Sequence, residues 1–414
     1  MKSKILFSGL ILFSMVFLKA GAQNAVAYNM ADLLQQNQIM TTPLSGTKPL
    51  KDKRSGAIST VNRVLFKELR FTEGTIDIDL RGKNKFLQSF LGIIFHAEDT
   101  TTYDVLFFRP FNFKHADTSR HGWSVTYNSM PQYSWQVLRK AYPRIYENKV
   151  NPVPDPDDWF HATIVIKGTD LKVYVNHASQ PSLEVQLLNG RRDGKLGLFS
   201  DGLKSDFANL VITPLKEEEK TIHYSLVNAM QQKQLQLERR NGLLKSSDST
   251  HNAVGVLDPG WMAILTGSGF SSGTLEIDIK GRDLLQQSFP GIAFHVKDAT
   301  TYEGVYFRPF NFNSPDSIRH HHAVQYIYMP GYPWFRLRKE YPEAYEANVI
   351  NPPGGDDWFH AKIVVDGEWI TVYVNYSCIP SLHIKSLANL GEGKLAIWSD
   401  GSFDLFADLY VRKE

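Results

Sequence analysis

One twelve-residue segment occurs twice in this chain, and the repetition limits what the chain can fold into. Residues 102–113 read TYDVLFFRPFNF, and residues 301–312 read TYEGVYFRPFNF. The offset of 199 residues (301 − 102) holds without a gap from about Thr72 to Ile212 of the first copy. An ungapped match of this length predicts two copies of one domain rather than a solenoid of short repeats.

The repeated segment alternates in a way that suits a β-strand. Period two places Tyr103, Val105, Phe107, Arg109 and Phe111 on one face, opposite Asp104, Leu106, Phe108 and Pro110. The second copy repeats the division, with Tyr302, Tyr306, Arg308 and Phe310 opposite Val305, Phe307 and Pro309. An arginine among aromatic side chains is costly to bury unless it is paired or faces a wet groove. We therefore expect one face to be core and the other to be the floor of a site.

Length and charge set the outline. A chain of 414 residues suits about two domains, predicted here as 23–214 and 251–414, with 215–250 a linker and the polar lead-in of the second copy. The formal net charge is only +2, and no Lys/Arg cluster of the kind that follows phosphates appears. Nucleic acid is therefore not an expected partner.

The amino terminus indicates export. Lys2 and Lys4 precede an apolar run and the sequence Ala20-Gly21-Ala22, which predicts a signal peptide at residues 1–22 and a periplasmic or extracellular protein. The apolar run of about 14 residues is too short to cross a bilayer comfortably, and no later segment qualifies, so no membrane span is expected in the mature chain. Cys378 is the only cysteine, so the domains must fold without disulfides.

Within each copy the apolar runs are short, alternate with polar residues and end at turn residues. Asp158–Ile166, the turn Lys167-Gly168 and Leu171–Asn176 are one example, repeated as Asp357–Val365 and Thr371–Asn375. Such patterning predicts an all-β fold of two tandem antiparallel β-sandwiches. An insert from Met130 to Glu147, rich in aromatic residues and proline, is predicted to be a long loop, and long loops often carry function.

These motifs resemble a known family. The Trp-x-His strand, the short turn and the Val-Tyr-Val-Asn strand are similar to the signature of laminin-G-like and concanavalin A-like lectin/glucanase jelly rolls. With the Arg-Pro-Phe-Asn-Phe segment, each copy resembles domains of Bacteroidetes-type bacteria that are called family 16 glycoside hydrolase-like or 3-keto-disaccharide hydrolase-like. The resemblance implies a concanavalin A-like jelly roll in each copy. Its motifs specify the fold much better than the chemistry.

The catalytic pattern of family 16 glucanases is incomplete in both copies. That pattern is Glu-x-Asp-x-x-Glu on one strand, with two carboxylates about 5 Å apart across the scissile bond. The second copy has Glu276 and Asp278 but Gly281 at the last position, and the first copy has Asp77 and Asp79 followed by Gly82. We expect these acids to be the exposed face of a strand.

Histidines offer a different catalytic hypothesis. His96 with Asp99, and His295 with Asp298, could supply a general base and its orienting carboxylate. A structural role at a strand end, with the histidine held by a hairpin carboxylate, is favoured because no nucleophile is evident beside them. His161 and His360 follow Trp-Phe in a motif that the fold alone explains.

No metal site is predicted. The run His320–His322 suggests metal, but the first copy has only His121 at the corresponding place. Calcium occurs in some laminin-G-like relatives, and Asp99 or Asp201 could bind it, yet no dense Asp/Asn cluster of the calcium-loop type is present. We therefore predict no cofactor and keep calcium as a weaker alternative.

The favoured site is an aromatic and arginine constellation that recurs in both copies. Flat aromatic platforms beside arginine and asparagine suit the C–H faces and hydroxyl rims of sugars. The alternative is an aromatic minicore beneath the long loop, with arginines paired to Glu147 and Glu346. The constellation comprises Arg109, Asn112, Tyr127, Tyr133, Trp135 and Arg139, repeated as Arg308, Asn311, Tyr326, Tyr332, Trp334 and Arg338.

The sequence thus predicts an exported protein that binds a glycan or oligosaccharide on the arginine face of each sandwich. A glycoside hydrolase, acting on an oxidised disaccharide as the family resemblance implies, is the first alternative. A structural or protein-binding laminin-G-like module is the second. A pocket with two carboxyl or imidazole groups would favour the enzyme, and a flat apolar patch would favour the protein-binding module.

Overall fold

A computed structural model describes residues 25–41, 46–216, 219–237, 243–245, 251–256, 261–401 and 404–414. The predicted signal peptide lies outside the described residues. Within them, the strands form four antiparallel sheets, two in each copy, so the predicted all-β class is confirmed. No helix in this part of the chain has the length and apolar character needed to cross a membrane.

Strands of the first copy form two sheets that face each other. The strands are β1 Val26–Tyr28, β2 Ile39–Thr41, β3 Lys48–Pro49, β4 Ile58–Thr60, β5 Val64–Phe71, β6 Gly74–Arg81, β7 Ser89–Ala97, β8 Tyr103–Phe108, β9 Val125–Met130, β10 Glu147–Asn148, β11 Phe160–Lys167, β12 Asp170–Val175, β13 Leu183–Gln186, β14 Gly194–Gly202 and β15 Ser205–Pro214. The front sheet has the order β10-β9-β8-β7-β14-β5-β2. The back sheet has the order β13-β12-β11-β6-β15-β4-β3, and β1 also pairs with β15.

The second copy repeats this arrangement. Its strands are β16 Ile222–Tyr224, β17 Leu235–Leu237, β18 Leu243–Lys245, β19 Ala253–Val256, β20 Trp261–Phe270, β21 Gly273–Lys280, β22 Pro290–Asp298, β23 Thr301–Phe307, β24 Val324–Met329, β25 Glu346–Ala347, β26 Trp358–Asp366, β27 Trp369–Val374, β28 Leu382–Lys385, β29 Gly393–Ser399 and β30 Leu405–Lys413. The front sheet is β17-β20-β29-β22-β23-β24-β25. The back sheet is β18-β19-β30-β21-β26-β27-β28, with β16 on β30.

Short helices connect the strands. They are α1 Met30–Gln35, α2 Pro110–Phe113, α3 Trp135–Ala141, α4 Leu226–Gln231, α5 Ser317–His321 and α6 Trp334–Glu340, with 3-10 turns at Thr118–Trp123 and Pro309–Asn311. The insert predicted to be a loop therefore carries a helix in each copy, α3 and α6. Leu138 and Leu337 anchor these helices, since each is buried in the core of its copy.

The core of each sandwich lies between its front and back sheets. Leu106 and Phe108 of β8 pack there, while Tyr103, Val105 and Phe107 join a separate apolar cluster on the outer side of the front sheet. The predicted division of the repeated strand into two faces therefore agrees with the structure up to Phe108. The outer cluster forms the floor on which the candidate site is built.

The repeated strand ends earlier than the sequence pattern indicated. β8 stops at Phe108, and Pro110 begins α2; in the second copy β23 stops at Phe307 and a 3-10 turn begins at Pro309. Proline has no N–H for a sheet ladder, and its fixed φ suits the first position of a helix. The extension of the strand through Arg-Pro-Phe-Asn-Phe was therefore wrong.

The segment predicted as a linker and lead-in, 215–250, carries strands and a helix of the second sandwich. β16 pairs with β30, and β17 pairs with β20. These elements repeat the start of the first copy at an offset of 196 residues (222 − 26 for β16 and β1, 226 − 30 for α4 and α1). The repeat therefore begins before Thr72. It does not show at the offset of 199 because the segment between these first elements and the position of Thr72 is three residues longer in the second copy.

The two copies touch through the back sheet of the second. Glu276 on β21 accepts hydrogen bonds from Arg192 and Thr169 of the first copy, and Lys362 and Arg412 bind Asp170 at 2.7 and 3.2 Å. Glu276 is 2% exposed. The expectation that the acids of this strand form an exposed face is therefore wrong for Glu276, because the first copy covers it.

Candidate functional site

A pocket of about 430 Å³ opens on the outer side of the front sheet of the second copy. The floor comes from β23 and β29, one wall comes from α6, and the turn after β23 closes the far end. Side chains from all these elements line it, chief among them Tyr306, Arg308, Asn311, Trp334, Arg338 and Trp398. We call this the second-copy pocket.

Aromatic rings form two walls of the second-copy pocket. The Tyr306 and Trp398 rings lie 5.2 Å apart between centroids at an interplanar angle of 59°. Trp334 begins α6 and is 46% exposed, so its ring faces solvent at the mouth. Burial raises the pKa of Tyr306 to about 12, so its hydroxyl stays protonated at neutral pH. The pocket thus offers flat apolar surfaces with polar groups between them.

Arg308 lies at the inner end of the pocket and is 6% exposed. Its Nη1 donates to the carbonyl of His322 at 2.8 Å, and its Nη2 donates to the Tyr306 hydroxyl and to Gln325 Oε1. The nearest carboxylate oxygen, Glu346 Oε2, is 3.8 Å from Nη1, beyond hydrogen-bond distance. Burial lowers the pKa of Arg308. Neutral acceptors therefore hold this guanidinium.

Glu346 belongs mainly to Arg338. The guanidinium of Arg338 donates to both carboxylate oxygens, with Nε–Oε1 and Nη2–Oε2 distances of 2.8 and 2.7 Å. The guanidinium carbon also lies 5.0 Å from the ring centroid of Trp334. This bidentate pair holds α6 against β25 and orients the tryptophan at the mouth. The predicted alternative, an arginine paired with Glu346, therefore applies fully to Arg338, whereas Arg308 is within ion-pair distance of Glu346 but does not hydrogen-bond to it.

Asn311 adds an unsatisfied acceptor to the pocket. Its Nδ2 donates to the carbonyl of His322 at 3.2 Å, while its Oδ1 is buried and has no hydrogen-bond partner. Asn112 has the same pair of features in the first copy, with Trp123 as the acceptor residue. A buried oxygen without a donor is costly, and only in the second copy does it belong to a residue that lines a pocket, where a ligand could supply the donor.

The first copy has a smaller cavity at the same place, about 200 Å³. Trp135, Phe107 and Phe199 line it, but Arg109 and Asn112 do not. Arg109 donates to the Trp123 carbonyl at 2.8 Å and to Thr126, and burial lowers its pKa to about 10, with nearby Arg139 adding to the effect. Arg139 pairs with Glu147, as Arg338 does with Glu346.

Comparisons with known proteins give fold neighbours only. No family model matches the sequence, and no curated protein is similar to it. Solved structures with similarity include a protein of unknown function with a galectin-like fold from Bacillus subtilis (12% identity, TM-score 0.34, 46% of this chain and 94% of that one) and the carbohydrate binding module CBM66 from the same organism (13%, 0.28, 42% and 89%). Domain 4 of the arabinanase AbnA from Geobacillus stearothermophilus, in complex with arabinotriose, is a third (13%, 0.29, 46% and 90%). The resemblance to a specific Bacteroidetes-type domain stays a prediction.

Four predicted tyrosines do not line the cavity of their own copy: Tyr127 and Tyr133 are absent from the first-copy cavity, and Tyr326 and Tyr332 are absent from the second-copy pocket. Tyr127 and Tyr326 are fully buried between the sheets, where their hydroxyls donate to Asp104 and Glu303 at 2.8 and 2.7 Å. Their assignment to a binding face is therefore corrected. Tyr133 and Tyr332 pack partly buried against the cores, at the bridges Ser129–Tyr133 and Tyr328–Tyr332.

The proposed histidine–aspartate pairs are not formed. His295 Nδ1 lies 2.6 Å from Glu303, and His96 Nδ1 lies 3.5 Å from Asp104, both inside the sandwich. Asp99 and Asp298 instead accept from the threonines of their own turns and are exposed. Each histidine Nε2 contacts a main-chain carbonyl at 2.8 Å. The geometry therefore suits the structural role, with a different carboxylate from the one predicted.

The other histidines and acids lie outside the pocket or at its edge. His360 bridges Glu276 and Asp278 on the back sheet, with His360–carboxylate distances of 3.2 and 2.8 Å. His161 does the same with Asp77 and Asp79 in the first copy. In the part of the chain that is described, no three His, Cys, Asp or Glu side chains group as metal ligands would.

Sequence reasoning missed several pocket residues. Trp398, His322 and Asp400 line the second-copy pocket but were not proposed as site residues. Trp398 and Asp400 correspond to Phe199 and Asp201 at the same offset of 199, and both Phe199 and Asp201 line the first-copy cavity. The offset of 199 residues relates this segment, in and just after β29, to the end of β14 in the first copy. Applying it there could have identified Trp398 and Asp400 as candidates.

Proposed function

We propose that this protein is an exported carbohydrate-binding protein and that its main binding site is the second-copy pocket. The observation that carries the proposal is the union of Trp334, Trp398 and Tyr306 with Arg308 and Asn311 in one open cavity. Aromatic faces pack against the C–H faces of sugar rings, while guanidinium and amide groups bind hydroxyls and ring oxygens. A cavity of about 430 Å³ is large enough for one or two sugar residues.

Binding without hydrolysis fits the polar groups better than catalysis does. Of the described residues that line the pocket, Asp400 is the one carboxylate, and it is exposed at the rim. Glu346, behind the pocket, is held by Arg338. Glycoside hydrolysis commonly needs two carboxyl groups on opposite sides of the scissile bond. A hydrolase remains the competing function, and release of new reducing ends would reveal it.

The experiment is a glycan array on the mature chain, followed by titration of the best ligand into two tryptophan variants. Trp334→Ala should weaken binding about tenfold, because it removes the exposed ring at the mouth. Trp369→Ala is the matched control, since Trp369 is 48% exposed but lies on β27 of the back sheet. Unchanged binding in Trp334→Ala, or loss in Trp369→Ala alone, would move the site elsewhere.

A further inference from the structure

We propose that the sugar bound in the second-copy pocket is acidic and that Arg308 binds its negatively charged group. The proposal rests on the proposed carbohydrate-binding function and goes further by naming the ligand class. A carboxylate, as in a uronic acid, and a sulfate ester share the chemistry that the pocket would recognise: a planar or compact anion beside hydroxyl groups.

The first observation is that Arg308 has no carboxylate of its own among the described residues: the nearest, Glu346, lies 3.8 Å away and is already hydrogen-bonded to Arg338. This guanidinium is 6% exposed, yet its hydrogen-bond partners are a carbonyl, a tyrosine hydroxyl and an amide oxygen. Burying a charge without an opposite charge is costly, because neutral acceptors replace only part of the lost hydration. Arg308 and Arg338 share one carboxylate, so a ligand anion entering the pocket would supply a second negative charge for the two guanidinium groups.

The second observation is the balance of all charged groups that face the pocket. Arg338 and Glu346 form a bidentate pair and largely cancel. Arg319 lies at the mouth, half-exposed, with Asp316 at 3.8 Å, and Asp400 is exposed at the opposite rim. His322 contacts Glu346 at 3.3 Å, and burial lowers its pKa, so it is neutral at pH 7. The inner end therefore has an excess of positive charge, because Arg308 and Arg338 share Glu346, whereas Arg319 and Asp400 at the rim are in solvent.

The third observation is the orphan oxygen of Asn311. Its Oδ1 is a buried acceptor without a donor, on a residue that lines the same pocket as Arg308. A fully ionised inorganic anion such as sulfate would offer this oxygen no donor, because it carries only acceptors. A sugar acid carries hydroxyl donors next to its carboxylate, so one ligand can satisfy both Arg308 and Asn311. This complementarity favours an acidic sugar over a free anion.

The first copy repeats the arrangement. Arg109 is equally buried and bonded to neutral acceptors, and Asn112 Oδ1 is likewise without a partner. There, however, Arg109 and Asn112 do not line the cavity. The second copy therefore combines the charge, the orphan acceptor and the open access that a ligand needs.

The test starts from an array of neutral, uronic-acid and sulfated glycans on the mature chain. The strongest acidic ligand is then titrated beside its neutral counterpart, prepared by carboxyl reduction or desulfation with the same linkages. We expect the charged form to bind at least tenfold more tightly, since a charge-assisted bond to a ligand is typically worth that much. Whether the hit carries a carboxylate or a sulfate identifies the source of the charge.

Variants then place the charge at Arg308. Arg308→Gln should abolish the preference for the charged form, and Arg308→Lys should keep part of it. Arg319→Gln is the control, because it removes a positive charge from the mouth of the pocket. It should reduce the preference for the charged ligand less than Arg308→Gln does. Thermal melts check that the variants fold; if Arg308→Gln does not, the comparison of charged and neutral ligands on wild type still decides.

Each remaining outcome is informative. Equal binding of the charged and neutral forms, still dependent on Trp334, would overturn the acidic ligand and leave carbohydrate binding standing. A preference lost in Arg319→Gln but kept in Arg308→Gln would overturn the role of Arg308. Binding to no glycan on the array would overturn both the ligand class and the proposed function.

Discussion

The two copies carry an arginine and an asparagine at equivalent backbone positions, but the side chains around these residues differ. Arg109 and Arg308 each donate to a main-chain carbonyl at 2.8 Å, from Trp123 in one copy and His322 in the other. The Trp123 ring lies 4.3 Å from the guanidinium carbon of Arg139, and His322, which stands at the corresponding position of the second copy, lines the pocket there. The exchange of tryptophan for histidine at this position is thus one of the differences between the closed first copy and the open second copy.

Other exchanges act in opposing directions, and only the exchange of valine for glycine removes side-chain volume from the floor. Gly304 replaces Val105 in the floor, and Ile327 replaces Asn128 beside it, while Tyr306 and Trp398 replace two phenylalanines. The cavity grows from about 200 to about 430 Å³. The comparison shows that the conserved floor is a scaffold feature, because it is present whether or not the pocket is open. The size of the cavity therefore depends on the residues that differ between the copies.

The back sheets differ as well, and the largest expected effect lies there. Glu276 is buried between Arg192, Thr169 and His360, whereas its counterpart Asp77 is partly exposed. Burial alone would raise the pKa of Glu276, but Arg192 and His360 lower it well below its usual range. We expect Glu276→Ala to destabilise the protein by about 3–5 kcal/mol, because Arg192 of the first copy, whose side chain is only 15% exposed, loses its carboxylate partner.

Urea unfolding of Glu276→Ala and Asp77→Ala measures this difference. Asp77→Ala should cost only about 1 kcal/mol, since its partners stay hydrated. Equal losses of unfolding free energy in the two variants would show that the contact between the copies contributes little. If the two copies unfold in separate transitions in Glu276→Ala, the contact also couples the unfolding of the two copies.

A ring exchange tests the comparison of the front sheets. His322→Trp should close the second-copy pocket and weaken glycan binding about tenfold or more, because a ring there would occupy the space beside Arg308. The reverse change, Trp123→His, should open the first copy and create a second, weaker site. Titration stoichiometry distinguishes one site from two. Full affinity in His322→Trp with normal folding would contradict the role given to this position.

The sequence predicted the scaffold better than the site, for identifiable reasons. Alternation assigned Leu106 and Phe108 to the core and Phe107 to the outer face, because a sheet face is a local property. It failed at Arg109, where Pro110 ends the strand. It also failed for Tyr127, because the buried carboxylate that binds its hydroxyl comes from a neighbouring strand.

Contacts between the copies were beyond the reach of pattern reasoning. Glu276 alternates like any exposed acid, and only its contact with Arg192, 84 residues earlier in the chain, makes it buried.

The pocket was predicted in part. Trp334, Arg308, Asn311 and Arg338 were predicted and do line one pocket. Trp398 was missed because a phenylalanine stands at the corresponding position of the first copy, so identity between copies was not a guide there.

The smallest expected effect is a pH-dependent loss of stability in a variant of His161, a residue of the first copy. Hydrogen bonds with Asp77 and then Asp79 raise the pKa of His161 to about 9, above its ordinary value near 6.5, and His177 stacks on the ring at 4.3 Å. A raised folded-state pKa stabilises the fold fully below about pH 6.5, and that contribution is lost as the pH rises towards 9.

His161→Gln should therefore be destabilising by about 1 kcal/mol at pH 6, after allowance for solvent screening, and by less at pH 9. Urea unfolding of both proteins at the two pH values measures the change, and subtracting wild type removes the parallel contribution of His360, whose pKa is also raised. A difference between variant and wild type that stays constant or grows from pH 6 to pH 9 would show that the two carboxylates hold a neutral His161.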